Sequence, residues 1–129
     1  MPGVLVGQLQ AQPAAGVRLV VTGHTRTLYV SGQTAMSGDG VPPHEGDMAA
    51  QLALSVENLE AVLREAGMSP ANLVRLGVYT TDVDLLLRHY GALAAWLGAA
   101  EVAPTTTMLG VARLAIPGQL VELEGTADA

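Results

Sequence analysis

Two carboxylates, Glu122 and Glu124, close an otherwise apolar run near the C-terminus, and three hydroxyls, Thr105, Thr106 and Thr107, open the same region. Residues i and i+2 of a strand share a face, so the two glutamates would stand a few Å apart. On a solvated face they are ordinary strand polar residues. Under a second subunit one of them would lose water and gain the raised pKa that a general acid or base requires. Ser31, in Ser31-Gly32-Gln33, has neither a Gly-x-Ser-x-Gly setting nor a histidine placed to activate it, so serine-hydrolase chemistry is not expected. His24, His44 and His89 show no i,i+4 pair and no HExxH, and no GxGxxG or GxxxxGK[ST] pattern surrounds Gly23 or Gly32. Neither a metal site nor a nucleotide site is expected.

The composition narrows the partners. A formal charge of -6 and a pI near 4.8 oppose any ligand held by phosphate neutralisation, which disfavours nucleic acid. There is no cysteine, so disulfides and thiolate nucleophiles are excluded and a reducing compartment fits. Neither a signal peptide nor a run of ~20 apolar residues is present, so the reading is a cytoplasmic protein without a membrane partner. With no Phe, one Trp and three Tyr, the core must be aliphatic. A chain of 129 residues makes one domain, 1–129, of which residues 1–15 are left unassigned although Val4 and Val6 could pair at an edge.

The elements that would carry the candidate groups follow from hydrophobic period and punctuation. Residues 17–22 and 27–33 are rich in β-branched side chains and read as a hairpin around Gly23-His24-Thr25, with a loop over 35–45. From Asp47, a capping residue, Leu52, Val56, Leu59, Leu63 and Ala66 keep helical spacing up to Gly67, and Glu60 and Arg64 form an i,i+4 pair. Ser69-Pro70 opens a short turn before a strand over 73–80, whose Val74, Leu76 and Val78 share one face. Thr81-Asp82 starts a second helix through Leu86, Tyr90, Leu93 and Leu97, which Gly98 stops. The region 104–124 then reads as two extended segments joined by a Pro117-Gly118 turn. The order is β-β-α-β-α-β-β, an α+β fold with one sheet covered on one face by two helices. Residues such as Val20, Gly110 and Ala112 predict an apolar opposite face, which would need a second copy of the chain to cover it.

Taken together, Leu28-Tyr-Val-Ser-Gly-Gln33, Glu57-Asn58-Leu59, Thr80-Thr-Asp82, Val111-Ala-Arg-Leu114 and Val121-Glu-Leu-Glu124 resemble the RidA family, also called YjgF or L-PSP. The resemblance runs from about Gly16 to the C-terminus. It implies a chorismate-mutase-like fold in a homotrimer with small-molecule clefts between subunits. It also implies hydrolysis of reactive enamines and imines to carbonyl compounds and ammonia, without metal or cofactor. On this resemblance Glu122 positions the attacking water, and Arg18, Ser31, Gly32, Tyr90, Thr106 and Met108 form the substrate-binding set.

In the family, an arginine of a Pro-Ala-Arg-Ser/Thr motif grips the substrate carboxylate. The ungapped alignment through Val111-Ala-Arg-Leu114 places Pro104 at the proline and Thr106 at that arginine. A bidentate arginine grip uses two charge-assisted bonds of about 1.5–3 kcal/mol each, so its loss costs on the order of 10²-fold in affinity. Arg113, seven residues on, is expected to point to the opposite strand face. Arg18, where the family carries a tyrosine turned toward the cleft, is the candidate to restore a charge, although a strand arginine is ordinarily a solvated edge residue. Tyr90 replaces the family's cleft asparagine. The alternative is a non-catalytic trimer in which Thr105, Thr106 and Thr107 hydrogen-bond a neutral ligand. Ribonuclease action is disfavoured by the acidic charge and the few stacking aromatics.

Overall fold

A computed structural model describes residues 4–7, 18–21, 23–24, 26–37, 39 and 42–129, the first two segments as backbone. The strands are β1 (Val4–Gly7), β2 (Arg18–Val21), β3 (Thr27–Thr34), β4 (Leu73–Thr80), β5 (Thr105–Gly110) and β6 (Val121–Asp128). The helices are α1 (Met48–Glu65) and α2 (Val83–Ala99), and a 3-10 turn spans Pro70–Asn72. Four strands form a sheet in the order β3-β6-β4-β5, and β1 pairs antiparallel with β2 in a separate ribbon. The fold class is therefore the α+β arrangement anticipated, with one further strand at its start. The hairpin expected between 17–22 and 27–33 is not made among the described residues, because β2 takes β1 as partner and β3 takes β6.

The two segments flanking Pro117-Gly118 are likewise not neighbours, since β4 lies between β5 and β6. The turn itself forms, with Gly118 at φ 87° and Gln119 N–H donating to the Ile116 carbonyl at 3.2 Å. β5 runs parallel to β4, which demands a crossover, and α2 is that crossover.

Capping fixes where both helices begin. Asp47 accepts from the Ala50 N–H and Asp82 from the Leu85 N–H, each at 3.0 Å. α1 ends where Gly67 turns left-handed at φ 73° and Met68 N–H reaches back to the Leu63 carbonyl at 2.9 Å. α2 does not stop at Gly98 but continues to Ala99, and the chain turns at Glu101, φ 54°. Glu60, paired with Arg64 by spacing, accepts the Trp96 indole N–H at 3.1 Å, a bond that ties α1 to α2.

Leu52, Leu59 and Leu63 of α1 and Leu86, Leu93 and Leu97 of α2 pack on Leu76, Val78, Val121, Leu123 and Ala127 of the sheet. Leu73 rather than Val74 occupies the core at the start of β4, because the β4–β6 register shifts between Leu73 and Arg75. Two polar residues, Gln51 and Ser55, are buried on the inner side of α1.

β6 alternates strictly up to Ala127: Val121, Leu123, Gly125 and Ala127 are buried beneath the helices, and Glu122, Glu124 and Thr126 are half-buried on the other face. The face away from the helices is therefore not the apolar surface expected. In register with those glutamates it carries Arg75, Gly77 and Tyr79 of β4, then Thr107 and Leu109 of β5, and Tyr29 lies at its far side on β3. Val20 belongs to the segments whose side chains lie outside the described residues.

Candidate functional site

Two clusters bear chemistry, one on the open face and one around the outer edge of β5. The first stands on the open face. β6 brings Glu122 directly opposite Tyr79 and Glu124 directly opposite Gly77. The β3–β6 register shifts between Val30 and Gln33, so Ser31 and Gly32 form an irregularity beside the glutamates. The fit there is close: a Cβ at Gly32 would lie 2.3 Å from Glu122 Oε1, so a larger residue would displace the carboxylate. The carboxylate rests against the bulge backbone. Gly77 does the same for the second glutamate, since a Cβ there would come within 2.9 Å of Glu124 Cγ and 3.2 Å of the Tyr79 hydroxyl. Ser31 is exposed at the rim.

The Tyr79 hydroxyl donates to Glu124 Oε1. That bond is the main reason its pKa is raised above the ordinary 10.0. Desolvation and the Glu124 charge add to it, Arg75 opposes, and Glu122 contributes a little more. Because the folded pKa lies above the unfolded one, the stabilisation is complete below about pH 10 and is lost as pH rises through the folded value. Ultraviolet difference titration should therefore show a phenol ionising above the ordinary 10.0, and Tyr79→Phe should delete that step.

The second cluster is a cleft of about 580 Å³ between the C-terminal half of α2 and the start of β5, lined by Tyr90, Leu97, Val102, Thr105, Thr106 and Thr107 among others. β5 is an edge strand, paired among the described residues with β4 alone. Thr106 is in register with the core residue Leu76, so it belongs to the helix side of the sheet, whereas Glu122 belongs to the open side. The Thr106 hydroxyl donates to the Pro104 carbonyl at 3.0 Å and that of Thr105 to the Val74 carbonyl at 3.1 Å.

Of the residues expected to form one site, the fold thus gathers Glu122, Gly32 and Ser31 in one place and Thr106 with Tyr90 in another. Met108 is in neither: it is in register with Val78 and packs against the core. Arg113 is not on a strand at all but exposed in the loop after β5, which ends at Gly110. The backbone of Arg18 pairs with Gly7, and its side chain lies outside the described residues. His24 is half-buried with its Nδ1 enclosed and without a hydrogen-bond partner. Among the described residues no group of three or more acidic, histidine or cysteine side chains is placed to hold a metal ion, and no helix is long and apolar enough to cross a membrane.

Tyr79, Arg75 and Gly77 were not singled out by motif or resemblance. A signal for them existed, because Arg75, Gly77 and Tyr79 alternate with the apolar Leu76 and Val78 and so had to stand together on the opposite face.

A family profile described as Endoribonuclease L-PSP matches residues 10–129. The mitochondrial protein mmf2 of Schizosaccharomyces pombe is 32% identical over 97 residues, covering 75% of each chain. Among solved structures, YyfB from Yersinia pestis, a protein of unknown function of the conserved Rid family, superposes with a TM-score of 0.79 at 28% identity, over 97% of this chain and 96% of the other. A member of the YjgF/YER057c/UK114 family from Mycobacterium tuberculosis matches at 33% identity with a TM-score of 0.66, over 80% and 79% of the two chains. The sheet order, the two covering helices and these likenesses agree: the chain belongs to the RidA family, the group also called YjgF, YER057c, UK114 or L-PSP.

Proposed function

We propose that the chain forms a cytoplasmic homotrimer that binds a small metabolite in clefts between subunits and hydrolyses a reactive imine or enamine there. The observation that carries this reading is the separation of the two clusters. Glu122 on the open face and Thr106 on the helix side of an edge strand cannot attend one small substrate within a chain, but two copies can bring the one group to the other across an interface. The half-buried Tyr79 and paired glutamates and the exposed Leu109 then have a neighbour to cover them.

In the reaction, Glu122 orients water, takes up its proton as the oxygen adds to the C=N carbon and passes that proton to the nitrogen. The carbinolamine then transfers its hydroxyl proton to the nitrogen as the C–N bond breaks, leaving ammonia and the carbonyl product. The Tyr79–Glu124 bond holds the second carboxylate away from the first, so the two have separate tasks. A ribonuclease role, for which the profile is named, is opposed by the -6 charge and by two glutamates on the open face.

Light scattering should give a mass near three times the 13.2 kDa chain. Freshly generated imines of several amino acids and amines, followed by semicarbazone trapping, should disappear faster with the protein than in buffer. A monomer in solution, or no acceleration with any imine, refutes the reading and leaves the ligand-binding trimer or a different assembly.

A further inference from the structure

The polarity of the Thr106 cleft indicates what it selects. A threonine hydroxyl has one proton, and those of Thr105 and Thr106 are both committed to backbone carbonyls. What these two residues present to a ligand is therefore lone pairs. The free edge of β5 offers backbone donors and acceptors alike, and the Thr107 and Tyr90 hydroxyls can act either way, so none of these tips the balance.

Within one chain, no cation lines the cleft among the described residues. Arg75 is the nearest candidate in sequence register, opposite Thr105, yet it lines the cavity of about 180 Å³ on the open face with Glu124 and Tyr29. All six basic residues are arginines, so no lysine is available to bind an anion or form a Schiff base. A carboxylate entering here would lose water, meet fixed oxygen lone pairs and face a chain of charge -6.

The geometry points to a cleft that discriminates against carboxylates and takes neutral or cationic ligands with N–H donors, so that the substrate would be an imine bearing a carboxamide or alkyl group where an imino acid bears its carboxylate. This deepens the imine-hydrolase reading and rests on it for the word substrate, but the binding preference can be measured without turnover.

Pyruvamide and pyruvate are a matched pair of carbonyl products differing in that one group. Saturation-transfer NMR titration of the full chain should give a dissociation constant for pyruvamide lower than for pyruvate by roughly tenfold or more. Thr106→Arg, at an exposed position, should invert the order. Equal or tighter pyruvate binding overturns the inference, and its loss in Arg18→Gln would identify Arg18 as the cation responsible. Failure of both ligands to saturate overturns it as well.

The two readings fail separately. A protein that prefers pyruvamide but hydrolyses no imine upholds the selectivity and removes the chemistry. One that hydrolyses 2-iminopropanoate as fast as its amide upholds the chemistry and removes the selectivity.

Discussion

Gln51→Leu is expected to destabilise the fold by about 2–4 kcal/mol, a large loss for a change that alters no surface residue. Gln51 is 1 % exposed on the inner side of α1. Its amide nitrogen donates to the carbonyls of His44 at 3.0 Å and Gly118 at 2.9 Å, and its oxygen accepts the Leu120 N–H at 2.7 Å. Leucine fills a similar volume and adds apolar burial, but it leaves the Gly118 carbonyl and the Leu120 N–H without partners, while the His44 carbonyl keeps only the Asp47 N–H. Each orphaned buried group costs about 1–3 kcal/mol, which outweighs the gain.

The urea midpoint at fixed protein concentration checks this, the fixed concentration being needed because assembly contributes to apparent stability. Gln51→Glu should do no better. It keeps an acceptor for Leu120 but turns a carboxylate toward two carbonyl oxygens. A midpoint within error of the parent would show that the loops at 44 and 118 find other partners at no cost.

That brace also bears on what the sequence disclosed. The caps at Asp47, Ser69 and Asp82, the apolar face of α1 and the turn at Pro117-Gly118 are set by neighbours within a few residues, so local rules read them correctly. Gln51 and Ser55 escaped because binary patterning assigns polar residues to solvent. Only the fold brings residues 44, 118 and 120 within reach of position 51.

Strand order was opaque for the same reason. Nothing local to 104–124 states that β4 intervenes between β5 and β6, since that depends on α2 carrying the chain over to a parallel edge. The candidate site was legible in part. Alternation paired Glu122 with Glu124, and family likeness drew attention to Gly32 and Thr106. It could not show that Thr106 and Glu122 lie on opposite sides of one sheet, or that Tyr79 occupies Glu124, because both follow from register across three strands.

Register also supplies the sharpest test of Glu122. Glu122→Gln should fold as the parent does and lose about 10²–10⁴-fold of imine hydrolysis, the range typical for removing a positioned acid–base group. Gly32→Ala should do nearly as much damage by a different route. Gly32 is not left-handed, so alanine suits the backbone, and the added Cβ meets the far end of a flexible side chain, 2.3 Å from Glu122 Oε1.

The fold can relieve that contact cheaply by swinging the carboxylate aside, within about 1 kcal/mol of the parent. Chemistry cannot, because a displacement of about 1 Å at the group that orients water costs on the order of 10²-fold. The double variant should lose little more than Glu122→Gln alone, since both changes disable one function. Thermal unfolding alongside turnover separates the outcomes. Full activity in both single variants would mean that Glu122 does no chemistry and would favour the ligand-binding trimer. Loss in Gly32→Ala alone would place the working group in the bulge backbone instead of in the carboxylate.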